Sequence, residues 1–287
     1  MTFSRTSRGE EGEALLNDRA DDGWPLHARV MRGEGASDEA GPPVLLMHGG
    51  GPDHRSLLPL AGELRARFGL SVILPDVRGY GRSVCREPAL HTWARYADDV
   101  VSWLDCLGVQ EAVVGGAGLG STIALRVALA HPDRVAAAVL VSVEDIEDDQ
   151  AKEAERRYME AFAERVRRGG IQAGWAPILG ELAPLIGRMV EEALPRADRE
   201  SAAAAAAIGR DRSFRSLDEL RSVHAPILVI PGMDRRHPPE LAQAVAQTLP
   251  RGELARVAMS AELRDAEDFG LAFAPAIGAF VRRHFGR

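Results

Sequence analysis

PVLLMHGGGPD at residues 43–53 and SVILPDVRGYGRS at residues 71–83 are the two ends of the stretch that decides the architecture. Each opens with an apolar run too short for an ordinary helix and breaks off into a glycine-rich turn, the pattern of a strand buried on both faces in a parallel sheet. Between them residues 56–68 are amphipathic, which gives β-α alternation.

Outward from this stretch the alternation continues. LHARVMR at 26–32 alternates as a strand, and residues 33–43 are turn-rich. Downstream come a helix from about 93 to 107, a strand EAVVG at 111–115, a helical STIALRVALAHP after the glycine turn at 115–120, and a buried strand RVAAAVLVS at 134–142. The pattern changes at residue 144. From there to 217 the chain is charged and alanine-rich, with helical spacing broken at Gly169, Gly170, Gly174 and Pro177. Sheet-like sequence resumes with APILVIPG at 225–232, followed by a helix over 239–249, a strand ELARVAM at 253–259 and a closing helix ending near Arg283. The expected fold class is α/β, a mostly parallel central sheet flanked by helices. Its core spans 13–143 and 218–287, an inserted helical cap spans 144–217, and residues 1–12 form a frayed, flexible N-terminus.

Composition narrows the function. With 46% hydrophobic residues the chain can bury a large core. The net charge of -7 and the lack of any basic run argue against nucleic acid as a partner. No apolar stretch approaches the roughly 18 residues of a membrane span, and MTFSRTSRGEEG lacks the apolar core of a signal peptide, so a cytoplasmic location is expected. Cys85 and Cys106 stand in unrelated contexts, which suggests neither a disulfide nor a thiolate metal site. The acidic run EDIEDD at 144–149 reads as a solvated helix start, because adjacent carboxylates alone do not define an oxygen cage. No metal and no cofactor are expected.

HGGGPD at 48–53 and DVRGYGRS at 76–83 resemble two loops of the α/β-hydrolase superfamily, in particular the capped branch that includes proline iminopeptidases and epoxide hydrolases. The likeness runs from about residue 26 to 280. It implies that backbone N–H groups near Gly49 and Gly50, with that of Leu119, face the oxygen of a reacting carbonyl. It also implies that the arginine and glycines of the second loop serve loop architecture. The third mark of the superfamily is a Gly-x-Ser-x-Gly nucleophile turn. Aligned on the helix at 123–125 and on HPDRV at 131–135, that turn is Gly116-Ala117-Gly118-Leu119-Gly120, so Gly118 stands where the resemblance places the nucleophile. Ser121 falls inside the first helical turn, where a small packing residue is usual.

The resemblance places the acid in PGMDRRHPPE at 231–240, with Asp234 the match, and the histidine in MSAELRDAED at 259–268. That window has no histidine. Glu262 or Leu263 stands in its place, and His284 lies among arginines in the terminal helix. VVGGAGLGS also matches a dinucleotide fingerprint, with Glu144 or Asp145 as the ribose ligand. It comes fourth in a series whose earlier loops already match another superfamily, so nicotinamide binding is not expected.

Three functional readings follow. The first is a superfamily enzyme of unconventional chemistry, acting on a small apolar carbonyl compound by acid–base catalysis. Asp234, Glu262, His237 and His54 are its candidate catalytic groups, and Gly49, Gly50, Leu119, Asp53 and Glu144 its substrate-binding groups. The second is a catalytically silent protein that binds a small molecule or a partner. The third is a weak hydrolase using a water held by Glu262, Asp234 or His237. Asp53 and His54 have a second role open to them, as caps of the helix that follows. The substrate, the oligomeric state and cap mobility are open at this point. Gly118→Ser combined with Glu262→His should restore ester hydrolysis if the alignment holds.

Overall fold

The computed structural model describes residues 6–8, 13–33, 41–144, 146 and 149–286. Among the described residues nine strands form one sheet; numbered along the chain, their order across it is 1-2-3-5-4-6-7-8-9. Strands β1 (Thr6–Arg8), β2 (Glu13–Arg19) and β3 (Pro25–Met31) make an antiparallel edge, joined to the rest where β3 pairs antiparallel with β5 (Val72–Asp76). From β5 onward every pairing is parallel, through β4 (Val44–Met47), β6 (Ala112–Ala117), β7 (Val135–Val141), β8 (Ile227–Ile230) and β9 (Gly252–Leu254).

The side chains of β4, β5 and β8 are buried along their whole length, as the unbroken apolar runs require when helices cover both faces. One face carries α2 (Trp93–Cys106), α3 (Leu119–Ala130) and α8 (Pro239–Thr248) over a core that includes Trp93, Trp103, Ile123 and Val245. The other carries α1 (Leu58–Phe68) and α9 (Ala266–Phe285) over Leu64, Phe273 and Ile277. Arg78, in the turn after β5, is buried and gives two parallel hydrogen bonds to Asp99 at 2.8 and 2.6 Å, so it fastens the turn to α2.

Between β7 and β8 the chain forms α4 (Asp149–Gly169), α5 (Ile171–Leu179), α6 (Pro184–Ala193) and α7 (Arg199–Ala205), with no strand among the described residues. These helices face the carboxyl ends of the strands. Side chains from both sides line a shared cavity of about 180 Å³.

Two expectations are corrected. Thr6–Arg8 pairs with residues 14–16 as the edge strand, so part of the segment read as a frayed terminus belongs to the sheet. Residues 1–5 and 9–12 lie outside the described residues. The strand expected over 253–259 is only Gly252–Leu254. From Ala255 the backbone is still tied by Ala255 N–H to Val229 O and Met259 N–H to Pro231 O, but it no longer follows a strand.

Candidate active site

The site is organised by the turn from β6 into α3. A Cβ at Gly116 or at Gly120 would come within 2.4 Å of the Met47 carbonyl oxygen, so side chains there are excluded by the close crossing of α3 over β4. Gly118 is different. Its φ of 52° and ψ of -117° are conformations that glycine adopts without penalty, yet there is room for a side chain. A Cβ on residue 118 would meet only Glu144 Oε1 at 3.4 Å and His237 Nε2 at 3.5 Å, ordinary contact distances.

His237 reaches this point from the loop after β8. Asp234 Oδ1 accepts hydrogen bonds from the backbone N–H groups of Arg236 and His237, both at 2.9 Å, which folds the loop into a tight turn. The same oxygen lies 2.9 Å from His237 Nδ1. With Nδ1–H donating to Asp234, Nε2 points away, toward Gly118 and toward Glu144 Oε2 at 3.2 Å.

Glu144 arrives from the end of β7. The chain leaves that strand through Ser142, whose φ of 54° is rare for a residue with a Cβ, and the side chain of Glu144 is then buried. Its Oε2 takes both the Arg236 guanidinium and His237 Nε2. Oε1 is the atom nearest the open side of Gly118. Arg236 also binds Glu155 of α4 at 2.6 Å, so one guanidinium joins the sheet to the helical segment above it.

The charges follow from these contacts. Burial alone would depress the basicity of His237, but the Glu144 carboxylate and the hydrogen bond to Asp234 outweigh it and hold the imidazole at about 9. Burial likewise works against ionisation of Glu144, and Arg236 and His237⁺ overcome it, keeping the carboxyl well below the usual range. At neutral pH the site is an imidazolium between two carboxylates.

The rest of the cavity wall is mostly apolar. Met159, Met189, Met233 and Met259 line it together with Phe162 and Trp175. Gly49, Gly50, Asp53, Gly118, Glu144, Asp234 and His237, all singled out from the sequence, lie on its wall. Leu119 contributes the first N–H of α3, which has no acceptor within its own helix.

Two candidates from the sequence fall elsewhere. Glu262 is exposed in the loop before α9 and is not part of the wall, because that loop turns outward after the short β9. Leu263, the other residue in that register, packs against the second core. His54 is buried, with its backbone N–H 2.9 Å and its Nδ1 2.8 Å from Asp76 Oδ1, and it does not face the cavity. Asp53 acts as a cap through Arg55 N–H at 3.0 Å and pairs with Arg196 at 2.8 Å. The Ser121 hydroxyl donates to Gly118 O at 2.7 Å from a fully buried position, a packing role. His284 is 3.3 Å from Glu253, far along the terminal helix. Arg236 is the residue that sequence reasoning missed, although it stands between the two singled out at 234 and 237.

The chain matches the family described as alpha/beta hydrolase fold over residues 42–259. A 2-hydroxymuconate semialdehyde hydrolase of Pseudomonas putida is 35% identical over 99 residues, which is 34% of this chain and 35% of that protein. An epoxide hydrolase of Caballeronia sordidicola is 33% identical over 144 residues, 50% of this chain and 41% of the relative. The matched region thus covers well under half the length of these curated relatives. A thermophilic esterase from Thermogutta terrifontis superposes with a TM-score of 0.75 at 26% identity, covering 94% of this chain and 99% of the other. With most of its length matched, this chain belongs to the α/β hydrolase fold family.

Proposed function

We propose that this protein is an acid–base catalyst that enolises a small, neutral, apolar carbonyl compound beneath a helical cap, without a covalent intermediate. One observation carries the reading: Glu144 Oε1 and His237 Nε2 converge within 3.5 Å of the place where a side chain on residue 118 would begin. The triad is degenerate at the nucleophile. His237, three residues after Asp234, stands in for the histidine missing from 259–268.

In this reading the carbonyl oxygen lies against the Leu119 N–H and the 49–50 loop, which act as an oxyanion hole. Glu144 Oε1 takes the α-proton, and the electron pair of that C–H bond moves onto the carbonyl oxygen as the enolate forms. His237 Nε2–H, charged at neutral pH, is the adjacent donor that returns a proton. The methionines and aromatic rings hold the apolar remainder of the substrate. The water-assisted hydrolase reading loses Glu262, which is exposed.

The test is α-hydrogen exchange in D₂O, followed by NMR on phenylacetone and ethyl 2-methylacetoacetate. Exchange that depends on Glu144 and His237, with no hydrolysis of p-nitrophenyl acetate, is the expected result. A second reading, a silent binding protein, draws on the pairing of Asp53, Glu144, Asp234, Arg236 and His237 with opposite charges. Tight binding of these compounds without exchange would favour it.

A further inference from the structure

Away from the cavity, His27 on β3, His54 after the 49–53 loop and Asp76 at the end of β5 are all buried, and one ligand atom from each lies within 4.8 Å of the others. His27 and Asp76 are register partners in the β3–β5 pairing, which puts them on the same face of the sheet. None of the three lines the cavity.

His27 supplies the decisive detail. Its Nδ1 lies 2.9 Å from Asn17 Oδ1, which fixes the proton on Nδ1 and leaves Nε2 as a bare lone pair. That Nε2 is buried with no hydrogen-bond partner among the described residues, in a residue only 2% exposed. Buried polar atoms are nearly always satisfied, so an orphaned acceptor on a ring that clusters with a second histidine and a carboxylate calls for an occupant. A histidine whose second nitrogen is held by an amide or carboxylate oxygen is the usual form of a metal-ligating imidazole. His54 Nδ1–H donates to Asp76 Oδ1 at 2.8 Å, and the carboxylate also accepts from the backbone N–H groups of His54 and Arg82.

We propose that His27, His54 and Asp76 form a structural site for a divalent cation of zinc type, with Asn17 as the outer residue that orients His27. Two imidazoles and one carboxylate suit zinc, with a water as the fourth donor, and ligand bonds of about 2.0–2.2 Å place tetrahedral donors about 3.3 Å apart. The His54–Asp76 pair opens slightly to admit the ion, the His54 ring carries its proton on Nε2 instead of Nδ1 so that Nδ1 offers its lone pair to the ion, and the His27 ring closes on it. The ion would join β3, β5 and the turn that follows Asp53, stiffening the loop that carries Gly49 and Gly50.

The test is titration of EDTA-treated protein with Co²⁺, then displacement by Zn²⁺. One equivalent bound per chain is expected, with the visible bands of four-coordinate cobalt and a higher melting temperature. His27→Gln should remove the bands. Asn17→Ala, at an exposed position, should fold normally and weaken cobalt affinity about 10-fold. Absence of saturable four-coordinate bands overturns the proposal, as does cobalt binding unchanged in both variants. If His27→Gln does not fold, unchanged affinity in Asn17→Ala is sufficient to overturn it.

Discussion

Two histidines in this protein, His237 half-buried on the cavity wall and His27 buried beside the sheet, are driven in opposite directions. His237 touches two carboxylates, and their attraction outweighs desolvation, so it is held at about 9. His27 is pushed down to about 4, because desolvation is opposed mainly by Asp76, whose oxygens are already engaged by His54 and Arg82. Direct carboxylate contact, more than depth, decides which histidine is a cation. One is therefore built to give protons, and the other to offer a lone pair.

The largest expected effect breaks the charged cluster. Glu144→Gln should lower α-hydrogen exchange by about 10²- to 10⁴-fold, and His237→Gln should fall in the same range, both measured by NMR in D₂O. Exchange unaffected by either change would sink the proposed function.

Gly118→Ser asks whether His237 can serve as a triad base. Its Cβ would start 3.5 Å from His237 Nε2, so above a pH of about 9, where that ring is neutral and can take the hydroxyl proton, this change alone should yield p-nitrophenyl acetate hydrolysis, on the order of 10³-fold above the parent, and a fluorophosphonate adduct on residue 118. Glu262→His should add nothing, since residue 262 is exposed. A folded Gly118→Ser protein without an adduct would show that the pocket does not activate the hydroxyl.

Gly120→Ala is expected to destabilise the fold by about 2–3 kcal/mol in chemical unfolding, because its Cβ would meet the backbone oxygen of Met47 at 2.4 Å. A neutral effect would mean that α3 can move off β4.

The smallest effect is in the pH dependence of stability, where the two histidines oppose each other. For His237 the folded value is raised, so its contribution is complete below about 6.5 and disappears as pH rises through about 9. For His27 the folded value is depressed, so the neutral ring is favoured in the native state and stability is lost as pH falls from 6.5 through about 4. Thermal unfolding between these limits should show a flatter alkaline limb in His237→Gln and a flatter acidic limb in His27→Gln.

What the sequence could reveal follows the physics of each part. The parallel strands were legible because burial on both faces demands unbroken apolar runs, and the 116–120 turn was legible because only glycine fits where α3 crosses β4. Asp234 and His237 could be named because a single four-residue turn holds both. Glu262 misled because the loop after β9 carries no periodic constraint, so its place within 259–268 could not say which way the loop turns. β1 was invisible for a related reason: a three-residue edge strand is defined by its partner's hydrogen bonds. Arg236 needed three dimensions, since its partners Glu144 and Glu155 lie 92 and 81 residues away along the chain.

The methionines of the cavity carry one more consequence. Four of the seven in the chain line the site, giving a wall of flexible, polarisable thioethers that can shape itself to differing apolar groups. The same sulfurs are open to oxidation, and each sulfoxide formed would place a polar, bulkier group on a wall where the proposed substrate's apolar part would lie. Tolerance of ligand shape and vulnerability to peroxide are thus two properties of one surface.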